Sequence, residues 1–241
     1  MNKQIYHHND DKQMSISEHL NELRQRVLFT LTLFGISTLS SFFLLKPLTI
    51  FLQKPAQGVK FLQLAPGEYF FVSVKIAFYC GVLLCLPIAI YQIIMFILPG
   101  LTGTEATIIV PSLLGSVCLF FLGILFGYTI LAPAALNFFI HYGADIIEPI
   151  WSFEQYFDFI LLLLLSTGLA FQIPIIQIFL GFLQIISSQQ MISVWKYIIV
   201  IATILGAILT PSTDPFTQLL MATAILILYF SGISVLIIFK K

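Results

Sequence analysis

No charged side chain falls between residues 107 and 138. A helix of that length, at about 1.5 Å per residue, exceeds the ~30 Å hydrocarbon core of a bilayer. Hydrocarbon offers no water to backbone groups, so such a run must pair its own N–H and C=O groups, and a helix does this within one segment. Five further apolar runs accompany it. The six expected spans cover about residues 27–45, 69–98, 107–138, 154–180, 195–210 and 215–239. Only 9% of the 241 residues are charged, where a soluble domain carries about a quarter. The fold class is therefore all-α: a polytopic membrane protein with six transmembrane helices, kinked and of unequal length. The loops are too short for a separate soluble domain, which leaves one membrane domain at 15–241 behind a polar tail at 1–14.

The second and third spans exceed the roughly 20 residues of a straight crossing, so they should tilt or project. The fifth, starting at Trp195, reaches only about 24 Å and calls for thinned bilayer or shelter by its neighbours. Pro87, Pro111, Pro133 and Pro174 lie inside spans, where each removes a donor and favours a kink. No internal repeat is visible, so the inverted-repeat plan of many transporters is not indicated.

Charge placement sets the orientation. Seven of the 11 basic residues fall on one side: Lys3, Lys12, Arg24, Arg26, Lys196, Lys240 and Lys241. With an even number of spans, both termini are expected on the cytoplasmic side or its equivalent. Lys46, Lys54, Lys60 and Lys75 fall on the other, which also carries Glu68, Asp145, Glu148, Glu154, Asp158 and Asp214. The net charge of zero leaves no basic stripe for nucleic acid. Cys80, Cys85 and Cys118 all lie in spans and read as small apolar side chains. The polar first eighteen residues match neither a cleavable signal peptide nor a transit peptide.

Two segments on the cytoplasmic side carry polar groups that ask for a purpose. In the first, Ile16, Leu20, Leu23 and Val27 form a helical stripe about 60° wide, with Glu18 and Glu22 on the opposite face. Ser15 and Glu18 have capping-box spacing. Glu22 stands one turn before Arg26, and a surface pair of that kind contributes only about 0.2–0.5 kcal/mol. The same carboxylate could equally receive a guanidinium ligand. In the second segment, Phe96-Ile-Leu-Pro-Gly-Leu-Thr-Gly-Thr-Glu105, the only charge is negative. Thr102 and Glu105 again have cap spacing, which is compatible with a ligand role.

Taken together, His19-Leu-Asn-Glu-Leu-Arg-Gln-Arg26, Pro87…Tyr91-Gln92…Phe96…Pro99…Glu105, Phe171-x-x-Pro174 and Leu209-Thr-Pro211…Asp214-x-x-x-Gln218 resemble the TatC family, signal-peptide receptors of the twin-arginine translocase. The resemblance runs from about residue 15 to the end of the chain. It implies that Glu22 and Glu105 receive the paired arginines of a signal peptide, with Phe96 and Arg24 beside them. It also implies TatA- and TatB-type single-span partners, assembly with further copies of the chain, energy from the proton gradient, and no cofactor. Many members carry Glu in span four where this chain has Gln172, so a role there as a polar anchor survives and one needing a charge does not. Gln172, Gln177 and Gln184 otherwise read as interhelical hydrogen-bonding groups. Pro55, Asp214 and Gln218 match family positions on the far side, and Asp214 also suits a cap of span six. Glu154 and Asp158 read as a solvated helix start.

The competing reading is a small-molecule or ion secondary transporter, which would need ionisable residues deep in the spans. Those positions offer chiefly Gln172 and Gln177. An intramembrane enzyme would need a catalytic motif, and neither H-E-x-x-H nor G-x-S-x-G occurs. Glu18, His19 and Glu22 have metal-ligand spacing but form a poor site beside Arg26. Phe- and Ile-rich composition suggests an AT-rich genome, plausible for a plastid. The expected place is thus the thylakoid membrane with stromal termini, with a bacterial inner membrane as the alternative.

Overall fold

The computed structural model describes residues 16–97, 103–142, 146, 150–211 and 214–238; at 16, 94, 97, 103–111 and 113 it describes the backbone alone. Ten helices are seen among these residues: α1 (Ile16–Phe43), α2 (Leu45–Gln53), α3 (Glu68–Ile97), α4 (Gly103–Phe126), α5 (Ala132–His141), α6 (Phe153–Ala170), α7 (Ile173–Phe182), α8 (Ser188–Ser193), α9 (Trp195–Leu209) and α10 (Pro215–Ile238). Five spans are long and apolar enough to cross a membrane, supplied by α1, α3, α4 with α5, α6 with α7, and α10; the 15-residue α9 is the short one.

Prolines shape the helices in two different ways. Pro133 and Pro174 each follow a break: a π-helical turn at Gly127–Leu131 precedes α5, and a turn at Phe171 and Gln172 precedes α7. At Pro174 the chain restarts after a turn, where the missing N–H is easily tolerated, while at Pro133 the helical backbone runs on through the π-helical turn. Pro87, by contrast, lies inside α3, which continues through it as a single element.

The core forms around α6, whose Phe157, Ile160, Leu161, Leu163 and Leu164 are buried. It packs against α4 and α3, while α10 packs against α9 and α7. The α4–α6 crossing is close because Gly123 and Gly127 have no side chain: a Cβ on Gly127 would stand 2.5 Å from Thr167 Oγ1. The first helix is peripheral. It packs chiefly on α3 and leaves Leu20, Leu28, Leu31 and Leu39 more than half exposed. A small parallel pair, β1 (Lys60–Leu62) with β2 (Ile150–Ser152), ties the α2–α3 connection to the start of α6.

Candidate functional site

The site grows out of the α1–α3 contact. Glu22 and Arg26 stand one turn apart on α1, and Arg26 donates through Nε and Nη2 to Glu22 Oε1 at 3.0 and 2.5 Å. The third arm of the same guanidinium, Nη1, donates to Gln92 Oε1 on α3 at 2.8 Å. A residue on the other helix therefore fixes the pair, which is more than an i,i+4 contact alone supplies. His19 lies one turn before Glu22, its ring stacked on Phe96 of α3 at 4.1 Å and 15°. Its Nδ1 is 3.8 Å from Glu22 Oε2, too far for a hydrogen bond.

This leaves Glu22 divided. Oε1 accepts two hydrogen bonds, while Oε2 is buried and has no hydrogen-bond partner among the described residues. A buried carboxylate oxygen without a donor is costly. Arg26 and Gln92 also form the polar end of an apolar groove of about 440 Å³ between α1 and α3, lined by Leu23, Val27, Leu31, Ile93 and Phe96. An acceptor in need of a donor is thus held by Arg26, a residue that lines a slot suited to an apolar chain.

The other expected residues are placed as follows. Arg24 is exposed and takes no part in the cluster. Glu105 belongs to the first turn of α4, but its side chain lies outside the described residues, as do Thr102, Ser15 and Pro99. Gln172 is buried in the α6–α7 turn, where it accepts from Ser116 Oγ at 2.6 Å and donates to Ser116 O at 3.1 Å. Its amide is therefore engaged inside the chain. Pro55 is half-buried in a 3-10 turn at Lys54–Ala56 that packs on α5. Asp214 is buried and caps α10, accepting from Thr217 N at 2.7 Å and from the Thr217 hydroxyl. Gln218 donates to Thr203 O at 3.4 Å, joining α10 to α9.

One group escaped sequence reasoning. Glu154 and Asp158 do not simply face solvent; both accept from Lys75 Nζ on α3, at 2.7 and 2.8 Å. Beside them Glu68 is buried and accepts backbone N–H groups of Leu64, Ala65 and Glu154 at 2.6, 3.1 and 2.9 Å. The signal was available: two carboxylates spaced i,i+4, and one lysine in an otherwise apolar span.

Comparison with known proteins decides the family. A model of the Sec-independent protein translocase protein TatC matches residues 18–223. This chain belongs to the TatC family. An uncharacterized tatC-like protein, ycf43, of Pyropia yezoensis is 62% identical over 232 residues, covering 96% of this chain and 91% of that one. The chloroplastic Sec-independent protein translocase protein TATC of Oryza sativa subsp. japonica is 52% identical over 225 residues, 92% of this chain and 63% of the relative. Among solved structures, a crystal structure of a twin-arginine translocase receptor, TatC in DDM, superposes with a TM-score of 0.80 at 36% identity, covering 91% of this chain and 99% of that one. This TatC-family chain is a Sec-independent translocase component and an integral membrane protein of the thylakoid.

Proposed function

We propose that this TatC-family chain is the subunit that receives twin-arginine signal peptides, with Glu22 and Glu105 as the two carboxylates and Phe96 and Arg24 at their flanks. The observation that carries the reading is the buried Glu22 Oε2, without a hydrogen-bond donor among the described residues, on a carboxylate whose partner Arg26 lines the apolar groove. An arriving guanidinium supplies the missing donor in a charge-assisted hydrogen bond, and its several fixed N–H groups can serve that oxygen where an ammonium has weaker geometry. The apolar stretch of the signal peptide then lies along Leu23, Val27 and Ile93.

In this reading residues 15–241 act as one membrane domain behind the 1–14 tail, with both termini in the stroma. TatA- and TatB-type single-span proteins and further copies of the chain complete the complex, and the proton gradient drives transport of folded cargo. Gln172, Pro55, Asp214 and Gln218 serve as partner contacts or structural polar groups. The hydrogen bonds of Gln172, Asp214 and Gln218 within the chain support the structural role.

Site-specific crosslinking of a twin-arginine signal peptide to Glu22→Ala/Glu105→Ala in membranes tests the assignment. Loss of the crosslink with normal insertion supports it. A crosslink of normal efficiency overturns it, and loss of the inserted protein assigns both residues to capping instead.

A further inference from the structure

A second pocket, remote from Glu22, has no part in the reading above. It measures about 570 Å³ and lies where α7, the turn after it, α8, α9 and α10 meet. Most of its polar groups are already occupied. Tyr229 donates its hydroxyl to Met191 O at 2.9 Å. Gln190 and Ser187 close a reciprocal capping box on α8, and Ser193 donates to Gln190 O at 2.7 Å. Gln177 differs from these. It is only 5% exposed, and neither Oε1 nor Nε2 has a hydrogen-bond partner among the described residues. The fold makes room for this amide: a Cβ on Gly232 of α10 would overlap Gln177 Oε1. An amide kept buried with two donors and an acceptor idle is a costly arrangement unless something fills it.

The character of that occupant follows from the surroundings. Among the described residues, no charged side chain lines the pocket, so a phosphate or carboxylate inside it would meet no counter-charge; Lys196, outside the lining, has its ammonium over the Trp195 ring. Leu180, Ile186 and Ile198 line it and suit hydrocarbon. Close to its rim, Trp195 and Tyr197 are 44% and 71% exposed on the first turn of α9, with Lys196 between them, the pattern of a membrane interface. At that depth a bilayer presents the glycerol esters and headgroups of its lipids.

We propose that this pocket holds one diacyl lipid with an uncharged headgroup, its ester or hydroxyl oxygens hydrogen-bonded to the Gln177 amide and its chains laid over Leu180 and Ile198. The test reconstitutes the full chain in nanodiscs of digalactosyldiacylglycerol and phosphatidylglycerol, releases it in native mass spectrometry, and counts retained lipid. The wild type retains one galactolipid. Gln177→Leu, which removes the amide, and Ile198→Trp, which fills the pocket without touching it, each weaken retention about tenfold, the loss of one or two hydrogen bonds or of the space itself. In lipid-free detergent Gln177→Leu melts no lower than wild type, because an unpartnered amide has been replaced by an apolar group. Retention at the bulk lipid ratio, equal retention by both variants, or preference for phosphatidylglycerol overturns the proposal. So does a lower melting temperature of lipid-free Gln177→Leu, which would give the amide a partner inside the fold. Loss of a co-purifying single-span subunit with lipid retention unchanged would assign the pocket to a protein helix instead, and likewise overturns it.

Discussion

Two clusters in this protein each join a basic side chain to carboxylate and end in opposite conditions. Around Lys75, every carboxylate is engaged: Glu154 and Asp158 hold the ammonium, and Glu68 gathers three backbone N–H groups from the α2–α3 connection and the start of α6. Around Arg26, each guanidinium nitrogen donates to Glu22 or Gln92, yet one buried Glu22 oxygen has no hydrogen-bond donor among the described residues, and Arg26 itself lines an apolar groove. The saturated cluster joins α3 to α6 and asks for nothing more. The unsaturated one is where the proposed signal-peptide arginine would supply a donor. What separates a structural tie from a receiving site is whether the hydrogen-bonding capacity closes within the chain, not the presence of opposite charges.

The largest expected effect lies at the open cluster. Glu22→Ala with Glu105→Ala lowers signal-peptide binding at least about 100-fold, as two charge-assisted hydrogen bonds of about 1.5–3 kcal/mol each are lost; a peptide titration on reconstituted protein measures it. Glu22→Gln keeps the shape but loses the charge. It weakens the same binding by roughly tenfold, and undiminished affinity would mean the oxygen receives no cation. At the saturated cluster, Glu68→Leu leaves three backbone donors without an acceptor. It lowers the melting temperature without altering the affinity of whatever protein remains folded; a selective loss of binding would break the contrast. Next comes Gln172→Leu, which strands Ser116 and costs about 1 kcal/mol. A double-mutant cycle with Ser116→Ala should show a coupling of roughly 0.6 kcal/mol, the scale of hydrogen bonds between membrane helices. Smallest is Lys75→Met, because the lysine and both its partners are a third to a half exposed. Such pairs contribute at most about 1 kcal/mol, so the melting temperature falls by only roughly 2–4 °C.

Much of the scaffold was legible in the residues. Apolar runs of membrane length announce helices because hydrocarbon leaves a lone segment no other way to pair its backbone. Trp195 and Leu209 bracket a helix as short as its run of apolar residues implies. The kind of kink was not legible: Pro87 and Pro174 look alike in sequence, yet one is carried inside α3 while the other opens α7 after a break. The Glu22–Arg26 pair could be read from spacing, and so could the family motif around it. That Gln92 fixes the pair from another helix depends on a contact across 66 positions.

Local order and solvent preference are properties of neighbouring residues, so the chain alone determined a helical membrane protein, its family and the segments that carry polar groups. Hydrogen-bond saturation is a property of all the groups that meet at a point. Only the packing of α1 on α3, α3 and α4 on α6, and α7 on α10 decided that Gln172 is satisfied, that Lys75 is clamped, and that Glu22 and Gln177 each keep hydrogen-bonding capacity unused among the described residues.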